Sequence, residues 1–153
     1  MTTDAETVVR AAYHAAEGNV LDVAGFIDLF AEDGVFNNVV AGETYRGEHL
    51  GDLVVFMGNL APDLHRDLHR VHVTGNVVAV ELSIQGTATG PFPTPAGVIQ
   101  PTGARLDIPT ADFWYVENGK IKEFNCYVGV NVMLAQLGVQ PDFASAVNAP
   151  AAA

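Results

Sequence analysis

The feature that most constrains the fold is a change of hydrophobic period about two-fifths of the way along the chain. Before it, apolar residues recur at helical spacing; after it, they alternate. Ala5, Val8, Val9, Ala12, Tyr13 and Ala16 form one helical stripe, opened by a capping-box pair, Thr3 and Glu6. Gly18-Asn19 interrupts it, and Val20, Leu21, Val23, Ala24, Ile27, Leu29 and Phe30 predict a second helix ended by Asp33-Gly34. A short strand over 35–40 and the turn-rich AGETYRG follow. Residues 48–60 then set Leu50, Leu53, Val54 and Met57 on one face of a third helix, which Pro62 stops.

From Leu68 onward the pattern is that of strands. RVHVTGNVVAVELSIQGTATG folds back at Thr74-Gly75-Asn76, and ARLDIPTADFWYVENGKIKEFNCYV folds back at Asn118-Gly119, which predicts two antiparallel hairpins. Between them, 90–103 is a Pro/Gly loop placed to cover a pocket mouth, and 130–139 is a short helix with Gly138 near its end. Helices first and sheet second is an α+β order, with the helices packed on one face of the sheet. A curved antiparallel sheet closed by helices makes a cone-shaped barrel, and such a cone encloses an apolar pocket. The expected organisation is one domain over 1–143 and an Ala-rich flexible tail over 144–153.

Charge removes several classes of partner. Seven Lys and Arg against eighteen Asp and Glu leave a formal charge of -11, with no basic cluster to receive a polyanion, so neither nucleic acid nor an anionic membrane is expected. MTTDAETVV has no basic leader pattern, no apolar run reaches bilayer length, and the single Cys126 has no intrachain partner. A soluble cytoplasmic protein is the expectation.

The candidate chemistry sits on the strand of 106–116. One face reads Leu106, Ile108, Thr110, Asp112, Trp114 and Val116, so Asp112 is a carboxyl on a mostly apolar surface. Such a surrounding penalises the charged form and prepares the group to give a proton near neutral pH; the alternative is a structural carboxylate satisfied by its neighbours. Tyr13 lies on the buried stripe of the first helix, where its hydroxyl needs a partner, and Asn37 or Asn38 on the short strand has the same need. Whether Asn125 or Cys126 faces Asp112 depends on the turn at Asn118-Gly119. A two-residue turn sets Asn125 opposite, and a three-residue turn with a bulge sets Phe124 opposite with Cys126 diagonal. Trp114 and Met57 belong to the same prospective wall. His65, His69 and His72 read as a loop or rim cluster rather than a metal site, and no phosphate loop, nucleophile elbow, Cys-pair metal motif or dinucleotide fingerprint is present.

The stretches FIDLFAEDGVF, YRG, GTATGPF, PTGARL, ADFWYVENGKIKEF and MLAQLGV together resemble the SnoaL-like polyketide cyclases, over about residues 5–140. That family falls within the nuclear transport factor 2-like superfamily, with ketosteroid isomerase and limonene epoxide hydrolase. The resemblance implies an often homodimeric cone with an apolar pocket, no metal and no cofactor. Tyr13 matches the substrate-facing tyrosine of ketosteroid isomerase, and Asp112 its protonated aspartate, a case in which an apolar site keeps a carboxylic acid neutral. The base aspartate of that enzyme is Asn38 here, and the last-strand aspartate of the cyclases is Cys126. The resemblance thus implies an isomerase, cyclase or dehydratase acting on an apolar carbonyl compound. Asp112 and Tyr13 would be catalytic, and Asn38, Trp114, Asn125, Cys126, His65 and Met57 would touch the substrate. The alternatives are a non-catalytic ligand-binding or assembly domain and an epoxide hydrolase.

Overall fold

A computed structural model describes residues 4–152. Thr3, half of the expected capping box, lies outside the described residues. Helix α1 (Asp4–Ala15) and the short α2 (Val23–Asp28) lead into β1 (Phe30–Asn38) and β2 (Glu43–Arg46). A 3-10 turn (Gly47–Gly51) runs into α3 (Asp52–Leu60), followed by β3 (His65–Thr74), β4 (Val77–Thr87), and a small hairpin of β5 (Phe92–Thr94) and β6 (Gly97–Ile99). Strands β7 (Arg105–Glu117) and β8 (Lys120–Val128) and helices α4 (Val130–Gln136) and α5 (Phe143–Val147) complete the chain.

The main sheet has the order β2-β1-β8-β7-β4-β3. It curls around the helices as the α+β reading expected, but it stays open, with β2 and β3 as its edges. It is also mixed: β1 runs parallel to β8, and every other neighbouring pair is antiparallel. The alternation on β7 is strict. Leu106, Ile108, Thr110, Asp112, Trp114 and Val116 are buried against the helices, and the intervening side chains face outward.

The second helix is shorter than its apolar pattern implies, because Phe30 leaves the helix and enters β1. Asp33-Gly34 does not end a helix. It forms an irregularity inside β1, where Lys122 of β8 donates to Asp33 Oδ1 at 2.6 Å. AGETYRG holds a strand, β2, and the 90–103 segment holds the β5–β6 hairpin. The stretch after residue 143 carries the one-turn α5, whose residues are all exposed. No helix among the described residues is long and apolar enough to cross a membrane.

Candidate active site

The register of β8 decides what surrounds Asp112. Asn118 (φ 52°) and Gly119 (φ 74°) make a tight two-residue turn of the kind that needs positive φ at both positions, and Glu117 faces Lys120 across it. A bulge then follows: Val116 pairs with Ile121 but Tyr115 pairs with Glu123, so Lys122 is the extra residue. The shift brings Cys126 directly opposite Asp112, which corrects both registers considered from sequence. Asn125 turns to the outer face, where it accepts from Asn37 Nδ2 at 2.8 Å and donates to Glu123 at 2.9 Å. It does not line the cavity.

Between sheet and helices lies a cavity of about 490 Å³, the size range of small-ligand sites. Its wall is apolar and aromatic, with Trp114 stacked on Phe124 at 3.5 Å and Phe124 against Phe36 at 4.4 Å between ring centroids. Met57, Met133 and Val130 close it from the helix side, and Phe92 of β5 sits at its edge against Phe56. Tyr13, Asn38, Met57, Asp112, Trp114 and Cys126 all line this space.

Three polar groups form a relay at its centre. Trp114 Nε1 donates to Tyr13 Oη at 3.0 Å, and Tyr13 Oη donates to Asp112 Oδ2 at 2.7 Å. All three side chains are buried. Asp112 Oδ1 makes no hydrogen bond of good geometry, although the Cys126 thiol interacts with this carboxyl, and the buried Oδ1 of Asn38 has no partner. Burial pushes the Asp112 carboxyl from 3.8 up to about 6, against the Tyr13 hydroxyl, the Cys126 thiol and the more distant Arg66 charge, each of which holds it down. The Tyr13 hydroxyl is raised well above its ordinary value, by burial first and then by Asp112. Burial likewise raises the Cys126 thiol, so this cysteine is a neutral wall residue rather than a thiolate.

His65 is not part of the site. On β3 it points outward and its ring Nδ1 lies 3.3 Å from Glu17, because the inward position next to it belongs to Arg66. Arg66 was missed as a site residue, although it shares a strand face with Leu68 and so falls on the apolar side. It lines the cavity, donates from Nη1 to the carbonyl of Ala16 at 2.7 Å, and has its pKa lowered by burial. Glu43, Tyr45 and Asp52 at the mouth were also missed; two of them lie on the strand read as a turn. Among the described residues, no group of three or more His, Cys, Asp or Glu side chains is arranged to hold a metal ion.

The chain matches the SnoaL-like domain over residues 9–124. It belongs to the SnoaL-like domain family. Curated proteins offer no match. Among solved structures, AclR from Streptomyces galilaeus, proposed to be a hydroxylase, superposes with a TM-score of 0.75 at 21% identity, over 90% of this chain and 87% of its own. IdmH from Streptomyces antibioticus, proposed to be a polyketide cyclase, gives 0.72 at 24% identity, over 88% and 99%. An epoxide hydrolase of the LEH-like type from M. tuberculosis gives 0.65 at 20% identity, over 95% and 96%. At these identities the likeness shows the fold.

Proposed function

We propose that the chain is a small-molecule enzyme that isomerises, cyclises or dehydrates an apolar carbonyl compound, with Asp112 as its acid. The observation that carries this reading is the unpartnered, buried Oδ1 of Asp112 in the wall of an apolar cavity. A buried polar atom without a partner in the chain calls for one from outside it, a ligand or an ordered water. With Oδ2 engaged by Tyr13, Oδ1 is the oxygen that carries the proton of the neutral acid and meets a ligand carbonyl. Negative charge growing on that carbonyl then takes the proton or shares it. Tyr13 works through Asp112: its own proton is committed to Oδ2, so it holds the carboxyl in place, and Trp114 holds Tyr13 in turn. Asn38 orients the substrate by offering its free Oδ1 to a hydroxyl or N–H.

The test begins with a thermal-shift screen of wild type and Asp112→Asn against planar phenols and apolar ketones. Ligand at a hundred times its dissociation constant adds about 2.7 kcal/mol of stability. Wild type is expected to shift and Asp112→Asn to shift less. Turnover of a ligand so found is expected to disappear in Asp112→Asn and to fall tenfold per pH unit above about 6, where the neutral acid is lost. Turnover that survives in Asp112→Asn would sink the assignment. A non-catalytic binding domain is the second reading, favoured by one observation: the residues in register with Asp112 on the next two strands, Cys126 of β8 and Asn38 of β1, provide no base. Binding indifferent to Asp112 would support it.

A further inference from the structure

The register sets four polar-capable side chains in one row across four adjacent strands. Glu43 of β2 pairs with Asn38 of β1, Asn38 with Cys126 of β8, and Cys126 with Asp112 of β7. Directly paired residues project to the same face of a sheet, and all four line the cavity. Three strand steps separate Glu43 from Asp112, about 14 Å between backbones. Their side chains reach inward from either end, leaving a gap that a fused-ring molecule would span.

Glu43 is also held. Tyr45 Oη donates to its Oε2 at 2.6 Å, and Asn38 Nδ2 lies 3.4 Å from its Oε1. Tyr45 packs on Phe36 at 5.7 Å between ring centroids, so the residue that orients the carboxyl is anchored in the aromatic wall. An exposed glutamate on an edge strand ordinarily swings freely in water; this one is clamped from both sides at the cavity mouth. Neither residue between it and Asp112 can take a proton, since Asn38 is an amide and Cys126 a buried thiol.

We propose that Glu43 is the proton acceptor of this cavity, working across the bound molecule from Asp112. The proposal rests on the enzyme reading given above. The carboxylate of Glu43 takes a proton from carbon next to the substrate carbonyl; the C–H electron pair becomes a carbon–carbon double bond, and the carbonyl π pair moves to oxygen, which is hydrogen-bonded or protonated by Asp112. Once the protonated Glu43 has exchanged with solvent, delivery of a solvent-derived proton to the same carbon gives exchange, and delivery to the far carbon of an unsaturated ketone's dienolate gives isomerisation. No oxidant, reductant or co-reactant is needed.

The probe is β-tetralone, an apolar bicyclic ketone, in deuterium oxide, with loss of its α-proton signals followed by NMR. Binding is read separately from the thermal shift given by 2-naphthol. Wild type is expected to accelerate exchange over buffer. Glu43→Gln, isosteric and at an exposed position, is expected to lower the rate about a hundredfold or more while keeping the 2-naphthol shift. Acetate is expected to restore part of the exchange in Glu43→Ala, which a merely structural role would not allow. Glu43 also has a rival at the mouth, Asp52, whose Oδ2 lies 2.9 Å from His49 Nδ1. A larger loss in Asp52→Asn than in Glu43→Gln, a rate within threefold of wild type in Glu43→Gln, or loss of the 2-naphthol shift in that variant would each overturn the assignment and leave the enzyme reading standing. Absence of any acceleration by wild type would overturn both.

Discussion

Asp112 is costly to the fold when ionised, and stability should record it. Its carboxyl is at about 6 in the folded protein against 3.8 ordinarily, so between those values the folded state binds more protons than the unfolded chain. Stability therefore falls as pH rises through this window, by about 3 kcal/mol in all. Below 3.8 both states are protonated and nothing is lost. Asp112→Asn keeps an acceptor for Tyr13 but carries no charge. It is expected to melt higher than wild type at pH 8, and the advantage should shrink through pH 6 and vanish below pH 4. A variant that is less stable at pH 8 would contradict the buried charge. Cys126, 5% exposed beside this group, should resist alkylation by iodoacetamide at pH 8 in the native protein and react readily in urea. At this scale the sequence was informative where alternation was regular: Asp112 and Trp114 fell on the inner face of β7 because nothing disturbs that strand. Arg66 is hidden because the strand-like alternation becomes evident only from Leu68, two residues after the arginine that shares its face.

Elements were legible where a turn or a stripe marks them and hidden where an irregularity intervenes. Asn118-Gly119 announced its hairpin, but the extra residue at Lys122 leaves no signature in the pattern of apolar residues. It alone exchanged Asn125 for Cys126 in the cavity. Phe30 belongs equally well to a helical stripe or a strand; pairing with Ile121 of β8 decided it. The Pro/Gly segment after β4 is anchored at its root by a close approach. A Cβ on Gly90 would lie 1.8 Å from the carbonyl oxygen of Asn59, and Gly90 N donates to Leu60 O at 2.9 Å. Gly90→Ala must push the β5–β6 hairpin off the end of α3, moving Phe92 at the cavity edge. Overpacking of this kind costs about 1–3 kcal/mol. Urea unfolding should show a lower midpoint with unchanged slope, and the 2-naphthol thermal shift should weaken; a variant equal to wild type in both would show that the hairpin is not held there.

For the whole molecule, the helices cover one face of the sheet and leave the other bare. Phe113, Tyr115 and Tyr127 are each more than a third exposed on it, with Phe113 and Tyr127 in edge-to-face contact at 5.8 Å. The polar groups beside them already satisfy one another: Thr44 donates to Asn37, Asn37 to Asn125, and Asn125 to Glu123. A surface that is aromatic at its centre and internally hydrogen-bonded at its side can be buried without breaking that side's hydrogen bonds. The expected occupant is a second copy, since one patch can pair with itself across a twofold axis, at about 800 Å² per partner. Opposing this, each copy brings a formal charge of -11, and that repulsion is weakly screened at low ionic strength. Light scattering after size exclusion is thus expected to give a dimer at 150 mM salt and a growing monomer fraction as salt is lowered. Phe113→Arg, which plants a cation in the aromatic patch, should give monomer throughout while leaving the 2-naphthol shift intact, since the cavity opens on the opposite face. A wild type that is monomeric at every salt concentration would mean that the aromatic face stays in water.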